Sequence, residues 1–128
     1  MIKFTIQVAP ITKKNHQQII RNSKTGNLMV IQSKQYIQYE RDARWFMPHI
    51  DTIEEPVNVQ AVFYMPTRRR VDLVNLQEAL LDVLVKYGIL ADDNNLIVHS
   101  MDGSYVDYSK ERPRTEVFIS RIGDDYDR

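Results

Sequence analysis

Three consecutive arginines, Arg68-Arg69-Arg70, stand just ahead of an aspartate, Asp72, and an adjacent acid pair, Asp92-Asp93, follows later in the chain. Guanidinium groups present a planar fork of donors that fits phosphate oxygens. Carboxylates brought to one spot repel one another unless a cation sits between them. A hard cation held there can activate water and stabilise charge on a phosphodiester. Read together, these residue types describe hydrolysis of a phosphodiester backbone. Glu78 and Asp82 stand one helical turn apart between the two acidic stations and can add carboxylates. Each piece also has an ordinary reading. Asp72 suits a helix start through the helix dipole, Asp92-Asp93 suits an acidic turn, and Glu78 and Asp82 suit a solvated helix face.

The rest of the composition narrows the chemistry. The chain of 128 residues has no cysteine. Disulfides and thiolate metal sites are therefore excluded, and a metal must sit on oxygen or imidazole donors, which points to Mg²⁺ or Mn²⁺. The net charge is +0, but residues 1–70 carry eleven Lys/Arg against five Asp/Glu, and residues 71–128 carry six against twelve. A basic part to hold a polyanion and an acidic part to hold a metal suit a nucleic-acid enzyme, and the split disfavours an interaction protein without nucleic acid. No long apolar run and no signal-peptide pattern occur, so the expectation is a cytoplasmic protein with no membrane partner.

The elements that must position these residues follow from periodicity. Residues 2–8 alternate as a strand ended by Pro10, and residues 11–24 are polar and basic, read as a loop carrying Lys13, Lys14, Asn15 and His16. Gly26-Asn27 marks a turn into a strand at 28–31. Ser33 caps a helix over about 34–47, closed by Pro48. Residues 57–65 form the clearest strand. Leu73, Leu76, Leu80, Val83, Leu84 and Tyr87 share one face of a helix over about 72–87, stopped by Gly88. Leu96-Ile97-Val98-His99 reads as a strand, Asp102-Gly103 as a turn, Tyr105 to Tyr108 as its hairpin partner, and residues 115–119 as the last strand. His99 reads as structural, and Trp45, Tyr36 and Tyr39 as core or dimer contacts. The acidic tail, about 123–128, reads as disordered. The fold class is α+β (mixed α/β) in one domain over 1–128: a single sheet with two main helices.

The stretch Arg68-Arg69-Arg70-Val71-Asp72-Leu73-Val74-Asn75-Leu76, then the helix to Gly88, then Asp92-Asp93-Asn94-Asn95-Leu96-Ile97-Val98 resembles the RusA family of Holliday junction resolvases. That family has a basic run, an Asp-x-Asp-Asn-Leu motif, a helix and an Asp-Asp pair before a hydrophobic strand. The Pro10 to Asn15 segment is similar to the family's proline-to-asparagine loop. The specific part of the resemblance is residues 66–98. It implies a RusA-like homodimer that cuts four-way DNA junctions symmetrically in recombination and repair, with Mg²⁺ or Mn²⁺, in a bacterial host cell and often encoded by phages. Two cuts across a two-fold junction call for two sites related by a two-fold axis.

On this resemblance Asp72 and Asp93 match the metal-binding aspartates, and Asn75 a residue that orients them. Two positions depart from the pattern. Val74 occupies the place of the second motif aspartate and cannot ligate a metal. Glu78 occupies the place of a lysine expected to assist catalysis. The reading is therefore that Asp72, Asp93 and Glu78 are catalytic, that Asp72, Asp93 and Asp82 hold Mg²⁺, and that Arg68, Arg69, Arg70, Lys13, Lys14 and Asn15 contact DNA. Asp92 and Asp102 are further acids near the site, Asp102 a substitute for the missing aspartate. The competing readings are a non-catalytic or weakened junction-binding protein on the same fold and a broader structure-selective nuclease.

Overall fold

A computed structural model describes residues 1–13 and 17–123, with the backbone alone at 17–20 and 29–32. Strands β1 (Ile2–Ile6), β4 (Val57–Met65), β5 (Val98–Ser100), β6 (Tyr105–Tyr108) and β7 (Arg114–Arg121) form a mixed sheet, while β2 (Gln17–Arg21) and β3 (Leu28–Gln32) form a separate antiparallel ribbon. With the helices α1 (Lys34–Ala43) and α2 (Leu73–Lys86), this is the α+β class expected from the sequence. Among the described residues no helix is long and apolar enough to cross a membrane.

β4 is the spine of the sheet. Its residues Val57, Val59, Ala61 and Phe63 are buried on one face, as period-two alternation requires. They pack against Leu76, Ala79, Leu80, Val83 and Leu84 of α2 and against Tyr36, Tyr39 and Ala43 of α1. Burying a large apolar side chain in this layer stabilises by about 1.5–3 kcal/mol. β7 pairs antiparallel with β4 on one side, and β1 pairs antiparallel with the outer edge of β7.

The other side of β4 departs from the expected hairpin. β5 pairs parallel with the start of β4 and β6 pairs parallel with its end. The two therefore run in the same direction as one interrupted strand. The Asp102-Gly103 turn does not reverse the chain because β4 holds it from the side. Asn58 accepts from the Ser100 hydroxyl (2.6 Å) and the Asp102 amide (2.7 Å), and donates to the Asp102 carbonyl (3.2 Å). Gln60 donates to the Gly103 carbonyl, and the Ala61 amide donates to the Ser104 hydroxyl. These bonds replace the ladder across the gap, so every polar group of buried Asn58 is used.

Two further expectations shift. Residues 17–21, read as part of a polar loop, form β2; polarity hid a strand whose partner follows after a turn. That turn is built by the Asn22 carboxamide oxygen, which accepts from the Lys24 and Thr25 amides. The first helix ends at Ala43 and tightens into a 3₁₀ turn over Arg44–Phe46. Pro48 forces Met47 into extended backbone (φ −72°, ψ 135°), which stops the helix short.

The helix ends follow local rules. Ser33 caps α1, its hydroxyl accepting from the Tyr36 amide at 3.2 Å. Ser33→Ala leaves that donor unpaired and is expected to cost about 1 kcal/mol, read as a shift of the urea midpoint at constant slope. α2 ends at Gly88, whose φ of 74° suits a residue without Cβ. The Gly88 amide donates to the Val85 carbonyl and the Ile89 amide to the Leu84 carbonyl, the double bond of a left-handed helix stop. The chain is thereby turned back towards the sheet, where Ile53 and Leu90 form an isolated parallel bridge, and onward to Asp92 and Asp93.

Candidate active site

α2 and its cap carry Asp72, Asn75, Glu78 and Asp82, and these define two stations. At its start, Asp72 occupies the capping position, but its side chain makes no bond to the helix backbone. The carboxylate instead accepts from the Asn75 side-chain amide at 3.2 Å. Asp72 is thus exposed and oriented by Asn75 rather than consumed as a cap. Arg68, Arg69 and Arg70 are all exposed just before it. Arg68 lies over the Tyr108 ring, 4.1 Å from its centroid, so its guanidinium is held before any ligand arrives.

The second station lies on the same helix at Asp82, about 15 Å further along the axis at 1.5 Å per residue. The Lys13 ammonium meets the Asp82 carboxylate at 2.7 Å and also lies 5.8 Å from the centre of the Tyr36 ring. Both members of the pair are about one-third exposed, so solvent limits its contribution to stability to less than about 1 kcal/mol. Its effect is positional: it fixes the end of the 10–13 segment against α2. Tyr36 is buried beneath it. Its hydroxyl finds no hydrogen-bond partner among the described residues. Burial first, then the charges of Glu40 and Asp82, push its ionisation upward.

Asp93 is reached by the same field. Its carboxyl is raised above the ordinary aspartate range, by burial on one side, then by hydrogen bonding and charge from Asp92, with a smaller contribution from Asp82. Asp92 itself is a turn builder. One of its oxygens accepts from the Asp93 amide at 2.7 Å and the other from the Asn94 side chain at 3.1 Å. Asn94 in turn accepts from the amides of Leu96, Ile97 and Val98. The turn thus spends Asp92 and Asn94 on geometry and leaves Asp93 presented.

A raised carboxyl gives a definite sign to the pH dependence. With the folded value above the unfolded one, Asp93 contributes stability at low pH that is lost as pH rises through its folded pKa. Asp93→Asn is therefore expected to leave the protein slightly more stable than the parent at neutral pH. The difference should vanish in acid, where the parent's carboxyl is protonated. Thermal melts of both proteins across that range check it.

The sequence-predicted acids do not gather into one group. Among the described residues no three His, Asp or Glu side chains come together as a metal cage. Asp72 and Asp82 are too far apart along α2 for both to sit at about 2.1 Å from one Mg²⁺. Asp82 is also already engaged by Lys13. Asp102 is carried on the Asn58 side of β4, alternate to the core residues Val57 and Val59, and so lies on the sheet face away from the helices. Glu78 is exposed on α2 between the two stations, and Val74 is exposed as well. Lys14, Asn15 and His16 lie outside the described residues, as do residues 124–128 of the expected disordered tail. His99 is exposed on β5, and Trp45 is 79% exposed and so not a core residue. Sequence reasoning missed the Lys13–Asp82 tie, for which no local pattern exists because the partners are distant in sequence.

A family model for endodeoxyribonuclease RusA matches residues 7–120. The chain belongs to the RusA endodeoxyribonuclease family. The match spans both stations, the Arg68–Arg70 turn and the Asp92-Asp93 turn, so membership covers the whole candidate site and not one motif. Cleavage within a DNA chain is thereby the activity class of this RusA-family protein. A comparison with curated proteins gave no match.

Proposed function

We propose that the protein is a Mg²⁺-dependent endonuclease, with Mn²⁺ able to substitute, that resolves four-way DNA junctions by symmetric phosphodiester hydrolysis as a homodimer in recombination and repair. The observation that carries the reading is the family match across residues 7–120, which contains the presented Asp93 and the oriented Asp72. The donor set suits Mg²⁺ better than an ion held in an all-protein cage. Mg²⁺ keeps several waters and is bound by one or two carboxylates together with substrate phosphates. One or two carboxylates are what Asp93 and Asp72 offer.

In this reading Asp93 and Asp72 hold the ion, with Asn75 fixing the Asp72 carboxylate. The ion supplies a lowered pKa for water and charge stabilisation at the scissile phosphate. Glu78 provides the additional carboxylate that Val74 lacks. Arg68, Arg69 and Arg70 bind flanking phosphates, Arg68 with its orientation already set by Tyr108. Asp82 is a positioning residue: it holds Lys13 against α2, where the ammonium offsets repulsion between Asp82 and an incoming phosphate. The protein works in the cytoplasm of a bacterial cell, on DNA of host or phage origin.

The test is a synthetic four-way junction labelled on each strand, incubated with Mg²⁺, with Mn²⁺ and with a chelator. Paired nicks at symmetry-related positions, absent with the chelator, are the expected result. Tight binding without nicking would establish the weakened binder that Val74 favours. Flaps and forks cut as fast as junctions would establish the broader nuclease.

A further inference from the structure

The opposite end of the chain contributes cations that the linear charge distribution conceals. β4, β6 and β7 finish at a common end of the sheet: Met65 stands opposite Tyr108, and Tyr64 opposite Arg114. Two turns leave from that end. One is residues 66–72, which carries Arg68, Arg69 and Arg70. The other is residues 109–113, which joins β6 to β7 and carries Lys110 and Arg112, with Arg114 at the start of β7. The second turn belongs to the acidic half of the sequence, yet the sheet sets it beside the most basic run of the first half.

The two turns are linked through aromatic rings. Arg68 of the first stacks on Tyr108, which leads into the second, at 4.1 Å. Arg114 stacks at 3.8 Å on Tyr64, which leads into the first. The second turn is ordered by its own bonds. The Arg112 amide donates to the Ser109 hydroxyl at 3.1 Å, and the Arg114 guanidinium donates to the Arg112 carbonyl at 3.0 Å. Arg114 is tied to Glu116 at 3.1 Å and is largely covered, so it braces the turn. Lys110 and Arg112 are exposed, with Glu111 between them.

We infer that residues 109–113 form a second phosphate-binding rail beside Arg68–Arg70, and that its ligand is the sugar–phosphate backbone of a duplex arm of the DNA substrate. Neighbouring strands lie about 4.8 Å apart, so β6, β4 and β7 span about 10 Å. Phosphates on one strand advance 3.4 Å per step, so both turns meet phosphates within about three steps of one arm. Lys110 and Arg112 supply the contacts, and Tyr108 and Tyr64 hold the framework. The contacts are to phosphate alone, so they add affinity and orientation without sequence preference.

The inference rests on the nuclease reading, and its test separates the two. Lys110→Ala/Arg112→Ala, both at exposed positions, is compared with the parent for binding to a fixed four-way junction and to a plain duplex of equal arm length. Measurements run from low to moderate salt in Ca²⁺. The expected result is weaker binding to both DNAs and a slope of log affinity against log salt reduced by about 1.8, close to 0.9 per lost contact. A double variant with the parent's affinity and slope overturns the second rail while leaving the nuclease reading intact. A parent that binds no DNA overturns both. If the double variant is unfolded by circular dichroism, Lys110→Gln and Arg112→Gln are measured singly, each with an expected slope reduction of about 0.9, and an unchanged slope in both again overturns the proposal.

Discussion

Asp93→Asn is expected to lower the single-turnover rate of junction nicking by about 10³-fold while leaving junction affinity in Ca²⁺ near that of the parent. The argument has three parts. The 92–98 turn consumes Asp92 and Asn94 in its own hydrogen bonds and leaves the Asp93 carboxyl as the presented group. An amide oxygen keeps the shape but loses the charge. Losing one charged ligand of the metal removes part of a stabilisation worth several kcal/mol, and about 4 kcal/mol corresponds to 10³ in rate. In the proposed reading DNA affinity rests on the arginines and lysines elsewhere, so it is expected to hold. Asp72→Asn and Asp82→Asn, assayed in parallel, divide the two stations. Loss of rate in Asp72→Asn with a modest change in Asp82→Asn fits the assignment made above. The reverse order would move the ion to the Lys13 end of α2. An Asp93→Asn protein that nicks at the parental rate would overturn the hydrolytic role of this turn.

Leu80→Ala is expected to destabilise the protein by about 2–5 kcal/mol, a large share of what holds a domain of this size together. Leu80 is fully buried on the face of α2 that meets β4. Removing its branched end leaves a cavity between a helix and a sheet that cannot both close onto it. At about 2–8 °C per kcal/mol for domains spanning this size, the midpoint should fall by about four degrees or more. A thermal melt that moves by less than three degrees would show that α2 is not the main support of the sheet. Nicking at low temperature should survive, because Leu80 touches neither station.

The parts of the fold that are legible in the sequence are those in which one residue pattern decides the outcome. Val57 to Met65 alternates at first, continues as an unbroken apolar run from Ala61, and is β4 to the residue. The stripe from Leu76 to Leu84 and the glycine at 88 define α2 and its stop. The site is legible only as a set of separate pieces. Arg68–Arg70, Asp72, Asn75 and the Asp92-Asp93 pair are visible because spacing within one helix and its flanks is fixed by 3.6 residues per turn. What escapes is everything set by pairing between distant segments. The direction of β6 depends on the Asn58 side chain, which reads as an ordinary alternate residue of β4. β2 is hidden in a polar segment because ladder bonds, not apolar side chains, define it. Asp82 looks like one more acid of a solvated face until Lys13 arrives from the far end of the chain.

Lys13 and Asp82 lie 69 residues apart, and their meeting has an implication for how the protein assembles. Closing so long a loop carries an entropic cost that few contacts near Lys13 can offset alone. The pair therefore forms only after α1, β4 and α2 have assembled, and it is among the first features lost on partial opening. Lys13 thus fastens the amino-terminal segment to α2 last, and a clip set late is also the first to release.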